Sequence, residues 1–207
     1  MSKDSQYLAI IDLGSNSVRL KIDQINLDGS YQTKQYEKRY VRLSSDMGPE
    51  KILKPEPIKP TLKALTEFRQ ICDQYKHLKI LAVATAAVRQ AQNQSDFLQQ
   101  VQEKTGFVIH VISGEQEAYL DYIGVSHTLA LKNGAILDTG GASMEIILVN
   151  DGQAEEVVSI PLGSVLLSQR YDLGDQISAT NLFNAIVKVD QVLSKELWLN
   201  RVRHGEL

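Results

Sequence analysis

The chain has 207 residues, 43% of them hydrophobic and 23% charged, with a formal net charge of −3. That composition belongs to a globular protein with room for one large core or two modest ones. The slight acidity excludes a broad basic field for nucleic acid, and no apolar run approaches a membrane span, so neither partner is expected. The polar opening Met1-Ser2-Lys3-Asp4-Ser5-Gln6 is unlike a signal peptide, and the cytoplasm is the expected compartment. Cys72 is the single cysteine and reads as a small buried hydrophobe on a helix, with no intrachain disulfide. The four histidines, His77, His110, His127 and His204, lack zinc-like spacing.

In chain order, residues 7–11 are an apolar run closed by Asp12 and Gly14, which predicts a buried strand. Residues 17–25 alternate, with Val18, Leu20 and Ile22 against Ser17, Arg19, Lys21 and Asp23, the pattern of a half-buried strand. Asp28-Gly29 marks a turn, and residues 36–43 predict a weaker third strand. Lys54-Pro55-Glu56-Pro57 reads as a loop. Pro60 then sits near the start of a helix carrying Leu62, Leu65, Phe68, Cys72 and Tyr75 at helical spacing. Residues 79–84 are a strand, Ser95 caps a helix that Gly106 stops, and residues 107–112 are a strand. Ser113 opens the next helix, with Gln116 three residues on completing a capping box. Strands follow over 135–137, 144–149 and 157–160, then a short helix over 164–171. A long helix capped by Ser178 carries Leu182, Ile186, Val189, Leu193 and Leu197 on one stripe. Strands first and alternating helices later predict an α/β fold, a mixed sheet flanked by helices, in two lobes over 1–123 and 124–207.

Two stretches align without a gap. Residues 9–20 read Ala-Ile-Ile-Asp-Leu-Gly-Ser-Asn-Ser-Val-Arg-Leu, and residues 135–146 read Ala-Ile-Leu-Asp-Thr-Gly-Gly-Ala-Ser-Met-Glu-Ile. Each is an apolar strand, an Asp at its end, a turn of small residues, and a strand starting with Ser and carrying a charge two residues later. Such a repeat implies duplicated lobes. Gly14, Gly140 and Gly141 permit close backbone approach, and consecutive amides in a tight turn form an anion nest, with Ser15, Asn16, Ser17 and Ser143 adding small polar groups. Asp12 and Asp138 at strand ends are placed to hold a hydrated magnesium ion, which favours one or two carboxylates plus phosphate oxygens.

With those residues in view, the run from Asp12 to Leu20 resembles the first phosphate loop of the exopolyphosphatase/guanosine pentaphosphate phosphatase (Ppx/GppA) family, part of the actin-like, sugar-kinase-like ATPase superfamily. Ala84-Thr85-Ala86-Ala87-Val88-Arg89-Gln90-Ala91-Gln92-Asn93 resembles its A-T-x-A-x-R-x-A-x-N segment. Gly114-Glu115-Gln116-Glu117-Ala118 resembles its G-x-E-E-A segment. Asp138-Thr139-Gly140-Gly141-Ala142-Ser143-Met144-Glu145 resembles the second phosphate loop, and Pro161-Leu162-Gly163-Ser164-Val165 its P-L-G-x-V stretch. The five motifs run in the family's order. The resemblance implies ribonuclease H-like (actin-like) lobes and attack by water on the terminal phosphate of inorganic polyphosphate or guanosine pentaphosphate, with magnesium or another divalent cation. It implies Glu117 as catalytic base and Arg89 as the arginine on the phosphoryl group. Asp138 and Glu145 become carboxylates linked to magnesium and water. Ser15, Asn16, Gly141 and Ser143 become phosphate-binding positions.

Elementary chemistry agrees in kind: phosphoryl transfer needs positioning and charge neutralisation, a guanidinium suits a phosphate, and a carboxylate can orient and deprotonate water. Near the start of its helix, the Glu117 carboxylate is favoured in its charged form by the dipole. Arg19 is read either as a phosphate ligand or as a partner for Glu145. Three positions depart from the family pattern: Gln116 replaces the first carboxylate of a pair, Ala142 replaces a Gly, and Leu166 stands where many members carry an arginine. The expected β-α-β-α completion of the second lobe and a Gly-rich segment do not follow before His204-Gly205-Glu206-Leu207, which suggests a truncated chain and an open sheet edge able to pair a homodimer. A sugar kinase or chaperone-type ATPase fits the Arg89 and Glu117 segments poorly. A non-catalytic sensor of phosphate chains or alarmone is the remaining alternative.

Overall fold

The computed structural model describes residues 6–199. The polar opening over 1–5 and the end around His204 lie outside the described residues. The chain divides into two compact units, within 6–112 and 113–199.

The first unit begins with three antiparallel strands, β1 (Gln6–Leu13), β2 (Ser17–Ile25) and β3 (Tyr31–Tyr40). Then come helix α1 (Pro55–Cys72), strand β4 (Leu78–Ala84), helices α2 (Ala86–Gln90) and α3 (Gln94–Thr105), and strand β5 (Ile109–Val111). The sheet order is β3-β2-β1-β4-β5, with β4 parallel to β1 and β5 parallel to β4. Apolar alternation along β1 and β2 sends Ala9, Ile11, Leu13, Val18, Leu20 and Ile22 to one face, each at most 1% exposed. That face packs with Leu65 and Phe68 of α1 and with Phe97 and Val101 of α3. Cys72 is buried in this core, as expected, and burial pushes its thiol up.

The second unit starts with helix α4 (Gly114–Ser126), followed by the antiparallel strands β6 (Gly134–Thr139), β7 (Met144–Asn150) and β8 (Gln153–Ile160), in that sheet order. Helices α5 (Ser164–Tyr171) and α6 (Ala179–Leu193) complete it. The sheet is covered on both faces. Ile147 and Val149 pack with Ala118 and Tyr122 of α4, while Met144 and Ile146 pack with Leu167 of α5 and Val189 of α6. The boundary expected after residue 123 falls inside α4, and that helix packs on the second sheet.

Several elements differ from the sequence reading. Helix α1 starts at Pro55, not near Pro60, because a first-turn proline gives up an amide that has no helical partner anyway; Pro60 lies inside the helix. Strand β3 runs over Tyr31–Tyr40, not 36–43, since its edge position lets it be polar on both faces and hides the alternation. Asn93, not Ser95, occupies the cap position of α3, and Ser95 lies within the helix. The short α2 was not expected. Helix α6 ends at Leu193, leaving Leu197 beyond it, and Leu182 and Ile186 of the predicted stripe are 46% and 57% exposed. No described helix is long and apolar enough to cross a membrane.

Candidate functional site

The aligned repeats are the same hairpin twice. Gly14 N–H donates to the Ser17 carbonyl at 3.0 Å, and Gly140 N–H donates to the Ser143 carbonyl at 3.0 Å. A Cβ on Gly14 would sit 3.1 Å from the Ser17 oxygen, and one on Gly140 3.3 Å from the Ser143 oxygen, so both turns close too tightly for an unstrained side chain. Ser15, Ser17 and Ser143 are buried hydroxyl residues at these turns, and Asn16, Gly140 and Gly141 are half-buried.

In the first unit the turn is braced from below. The Asn16 carbonyl accepts from Val41 and Arg42 N–H, and the Ser15 carbonyl accepts from Ser44 N–H. Strand β4 reaches the same place. Leu13 pairs in register with Ala84, and Thr85 N–H donates to the Leu13 carbonyl. Arg89 follows on α2, one helical turn past Thr85, and its Nη1 donates to the Ile112 carbonyl at 3.0 Å. The first loop and the Arg89 segment therefore share the C-terminal ends of the parallel strands β1 and β4, where open α/β sheets bind ligands. Asn93 clamps the chain by a reciprocal pair with the Leu53 backbone, which gives the last residue of that motif a structural role. Asp12 faces Arg19 across β1 and β2, with Nη1 to Oδ2 at 3.4 Å; both are partly exposed.

In the second unit, Ser113 caps α4 and Gln116 returns its side chain to the Ser113 amide at 2.9 Å. The Gln116 departure is thus satisfied by a neutral residue doing the capping, and the half-buried Glu117 is the next residue along. Asp138 sits directly opposite Glu145 in the β6–β7 register. Glu145 is 2% exposed and accepts from Ser159 Oγ at 2.6 Å, whereas Asp138 is exposed. Like charges directly opposite in a sheet repel, and a cation bound beside the pair would offset that repulsion. Glu145 alternates with Ile147 and Val149 and so lies on the sheet face covered by α4. Tyr122 Oη donates to the Gly152 carbonyl at the β7–β8 turn, which ties α4 to that end of the sheet.

The sequence places Gly163 and Ser164 in a motif but gives them no role. A Cβ on Gly163 would lie 2.3 Å from backbone atoms of Gly141 and Ala142. The first turn of α5 docks onto the second loop: Ser164 N–H donates to the Gly140 carbonyl, and Val165 and Leu166 N–H donate to Gly141. Glycine in the Pro161-Leu162-Gly163 run was visible, but close approach of two backbones is tertiary information. Leu166 contributes its amide here, independent of its side chain. Ala142 does not adopt left-handed backbone, so its methyl adds no strain of that kind. Among the described residues, no three His, Cys, Asp or Glu side chains cluster as a metal cage.

A profile of the Ppx/GppA phosphatase family matches residues 22–205. The guanosine-5'-triphosphate,3'-diphosphate pyrophosphatase of Vibrio cholerae is 35% identical over 190 residues, covering 91% of this chain; the chain spans 38% of that relative's length. The crystal structure of the Aquifex aeolicus Ppx/GppA family member superposes with a TM-score of 0.72 at 31% identity, covering 92% of this chain and 62% of that one. An exopolyphosphatase from Cytophaga hutchinsonii superposes with a TM-score of 0.85 at 26% identity, covering 91% and 61%. The fold is accordingly the α/β, actin-like class expected from the sequence, with mixed sheet and flanking helices. On these matches, the chain belongs to the Ppx/GppA phosphatase family.

Proposed function

We propose that this chain carries the phosphate-binding and water-activating residues of an exopolyphosphatase, which hydrolyses the terminal phosphoanhydride bond of inorganic polyphosphate. The duplicated hairpin, with the same Gly-to-Ser hydrogen bond in each copy, is the observation that carries this reading. In this reading Gly14, Ser15, Asn16 and Ser17 form a phosphate-binding turn of the first unit, and Gly140, Gly141 and Ser143 form the corresponding turn of the second. Arg89, its guanidinium oriented by the Ile112 carbonyl, neutralises charge on the phosphoryl group under attack. Arg19 adds a second cation beside the first loop.

Glu117 orients a water and takes its proton. The water oxygen bonds to the terminal phosphorus as the bridging P–O bond breaks, and the electron pair leaves on the shortened chain. Asp138 and Glu145, opposite each other in the β6–β7 register, would hold a divalent cation such as magnesium within the second unit. When bound, that cation would offset phosphate charge.

The second reading, hydrolysis of guanosine pentaphosphate, is supported by the name of the Vibrio cholerae relative. Orthophosphate release measured in parallel from long polyphosphate and from guanosine pentaphosphate, with magnesium, tests both. Release from polyphosphate is expected; release from the guanosine compound alone would transfer the assignment, and release from neither with binding retained would favour a sensor. We further propose a homodimer through the outer edge of β6, where Leu137 is 62% exposed.

A further inference from the structure

The segment between β3 and α1 is tied down at both of its ends, and each tie lies beside residues given a role in phosphate handling. At its start it wraps the first turn. Val41 and Arg42 N–H donate to the Asn16 carbonyl at 3.0 and 2.9 Å, and Ser44 N–H donates to the Ser15 carbonyl at 3.0 Å. At its end it meets the motif that carries Arg89. Gln92 N–H donates to the Lys51 carbonyl at 2.9 Å. The Asn93 Oδ1 accepts from Leu53 N–H at 2.9 Å, and its Nδ2 donates to the Leu53 carbonyl at 3.0 Å. Val41, Leu43 and Leu53 are buried in the first core, which anchors the same two ends.

Between those anchors the backbone is held where side chains disfavour it. Arg42, Asp46 and Lys51 are left-handed, with φ of 49°, 56° and 51°. Residues with a Cβ keep that conformation only where the surrounding bonds over-determine it. Release of one end would let the segment relax and would loosen the other. Helix α2, which carries Arg89, is five residues long and depends on such outside ties. Its start is held by Thr85 N–H on the Leu13 carbonyl. Its exit is held by Gln94 Nε2 on the Val88 carbonyl at 2.9 Å and by the Asn93–Leu53 pair. A side-chain amide offers a donor and an acceptor to one backbone residue at once; aspartate keeps the acceptor alone, and alanine keeps neither.

We infer that Asn93 is a positioning residue: acting through the strap over residues 41–53, it fixes Arg89 relative to the Gly14–Ser17 turn. The inference rests on the proposed function for the roles of Arg89 and the turn, whereas the strap is a property of the fold alone. Asn93 itself acts on the backbone of Leu53, and its effect on the reaction passes through Arg89. Placement of this kind has leverage, since a shift of about 1 Å caused far from the chemistry can cost about 10²-fold in rate.

The test compares N93A and N93D with the parent, each also in an R89A background. Amide hydrogen exchange reads the strap. N93A should speed exchange at Arg42 and Ser44 by at least about 10-fold, with Ile11 and Leu20 of the sheet at parent rates and N93D in between. No change at Arg42 and Ser44, or equal acceleration at all four amides, would overturn the strap; the second result would mean loss of global stability only. Orthophosphate release from polyphosphate with magnesium reads the positioning. N93A should lower kcat by roughly 10-fold in the parent background and by less than about 2-fold in R89A, because the group it misplaces is already gone. Equal fold losses in the two backgrounds would overturn the positioning role. Should N93A not fold, N93D carries both readouts, with smaller changes of the same sign. If no variant and no parent releases orthophosphate, the hydrolase reading falls alone, and the same cycle is read on tripolyphosphate affinity with the same two outcomes.

Discussion

The two hairpins share a backbone and differ in charge. In the first unit Asp12 faces Arg19; in the second Asp138 faces Glu145. The first arrangement is an ion pair beside the Gly14–Ser17 turn. The second puts two carboxylates in one register position, one of them buried and held by Ser159. The same turn geometry occurs twice, and one side chain in each copy sets its electrostatic character, an arginine facing Asp12 in one unit and a glutamate facing Asp138 in the other. The surroundings differ in the same sense. The sheet face bearing Asp12 and Arg19 is exposed at Tyr36 and Tyr40, whereas the face bearing Glu145 lies under α4, which brings Glu117.

The largest expected effect comes from removing the proton acceptor. Glu117→Gln should lower kcat by about 10²–10⁴-fold with polyphosphate affinity largely retained. Turnover within a few-fold of the parent would take Glu117 out of that role. Next is the residue that makes the second hairpin unlike the first. Glu145→Gln should raise the magnesium concentration needed for half-maximal activity by roughly 10–100-fold, and an unchanged magnesium titration would remove the carboxylate from the cation's setting. Arg19→Gln should raise KM for polyphosphate by about 10-fold. Its effect on thermal stability should be small, because a partly exposed pair contributes only about 0–1 kcal/mol. A large fall in Tm with unaltered KM would make the pair structural. The smallest kinetic change but a clear structural one is expected for Gly163→Ala. Its new methyl meets loop backbone, and overpacking of that kind costs about 1–3 kcal/mol, read by denaturant unfolding. A variant as stable as the parent would mean that α5 and the second loop move apart freely.

Much of this arrangement was legible in the residues. Strong alternation fixed β2 at its observed ends, Gly106 in left-handed backbone ends α3, and Ser113 with Gln116 forms the capping box that the spacing implied. The paired turns were legible because Asp, Gly and Ser fall in register. What sequence could not carry was tertiary. Polar residues on both faces of β3 conceal a strand that gains its order from pairing with β2. The stripe on α6 has the right period for burial, yet only Ala185 is fully covered. Gly163 matters because of what lies 2.3 Å from its missing side chain. Asp12 and Arg19 were each singled out, but their mutual pairing follows from strand register, which a one-residue shift would have abolished.

In the proposed reaction, water attacks the terminal phosphorus of a polyphosphate chain. The most direct measurement is hydrolysis of long-chain polyphosphate in 18O-water with magnesium, followed by mass analysis of the products. Attack at that phosphorus predicts a single 18O atom in each released orthophosphate and none in the shortened chain. Label appearing in the remaining chain, or polyphosphate shortening without labelled orthophosphate, would contradict it.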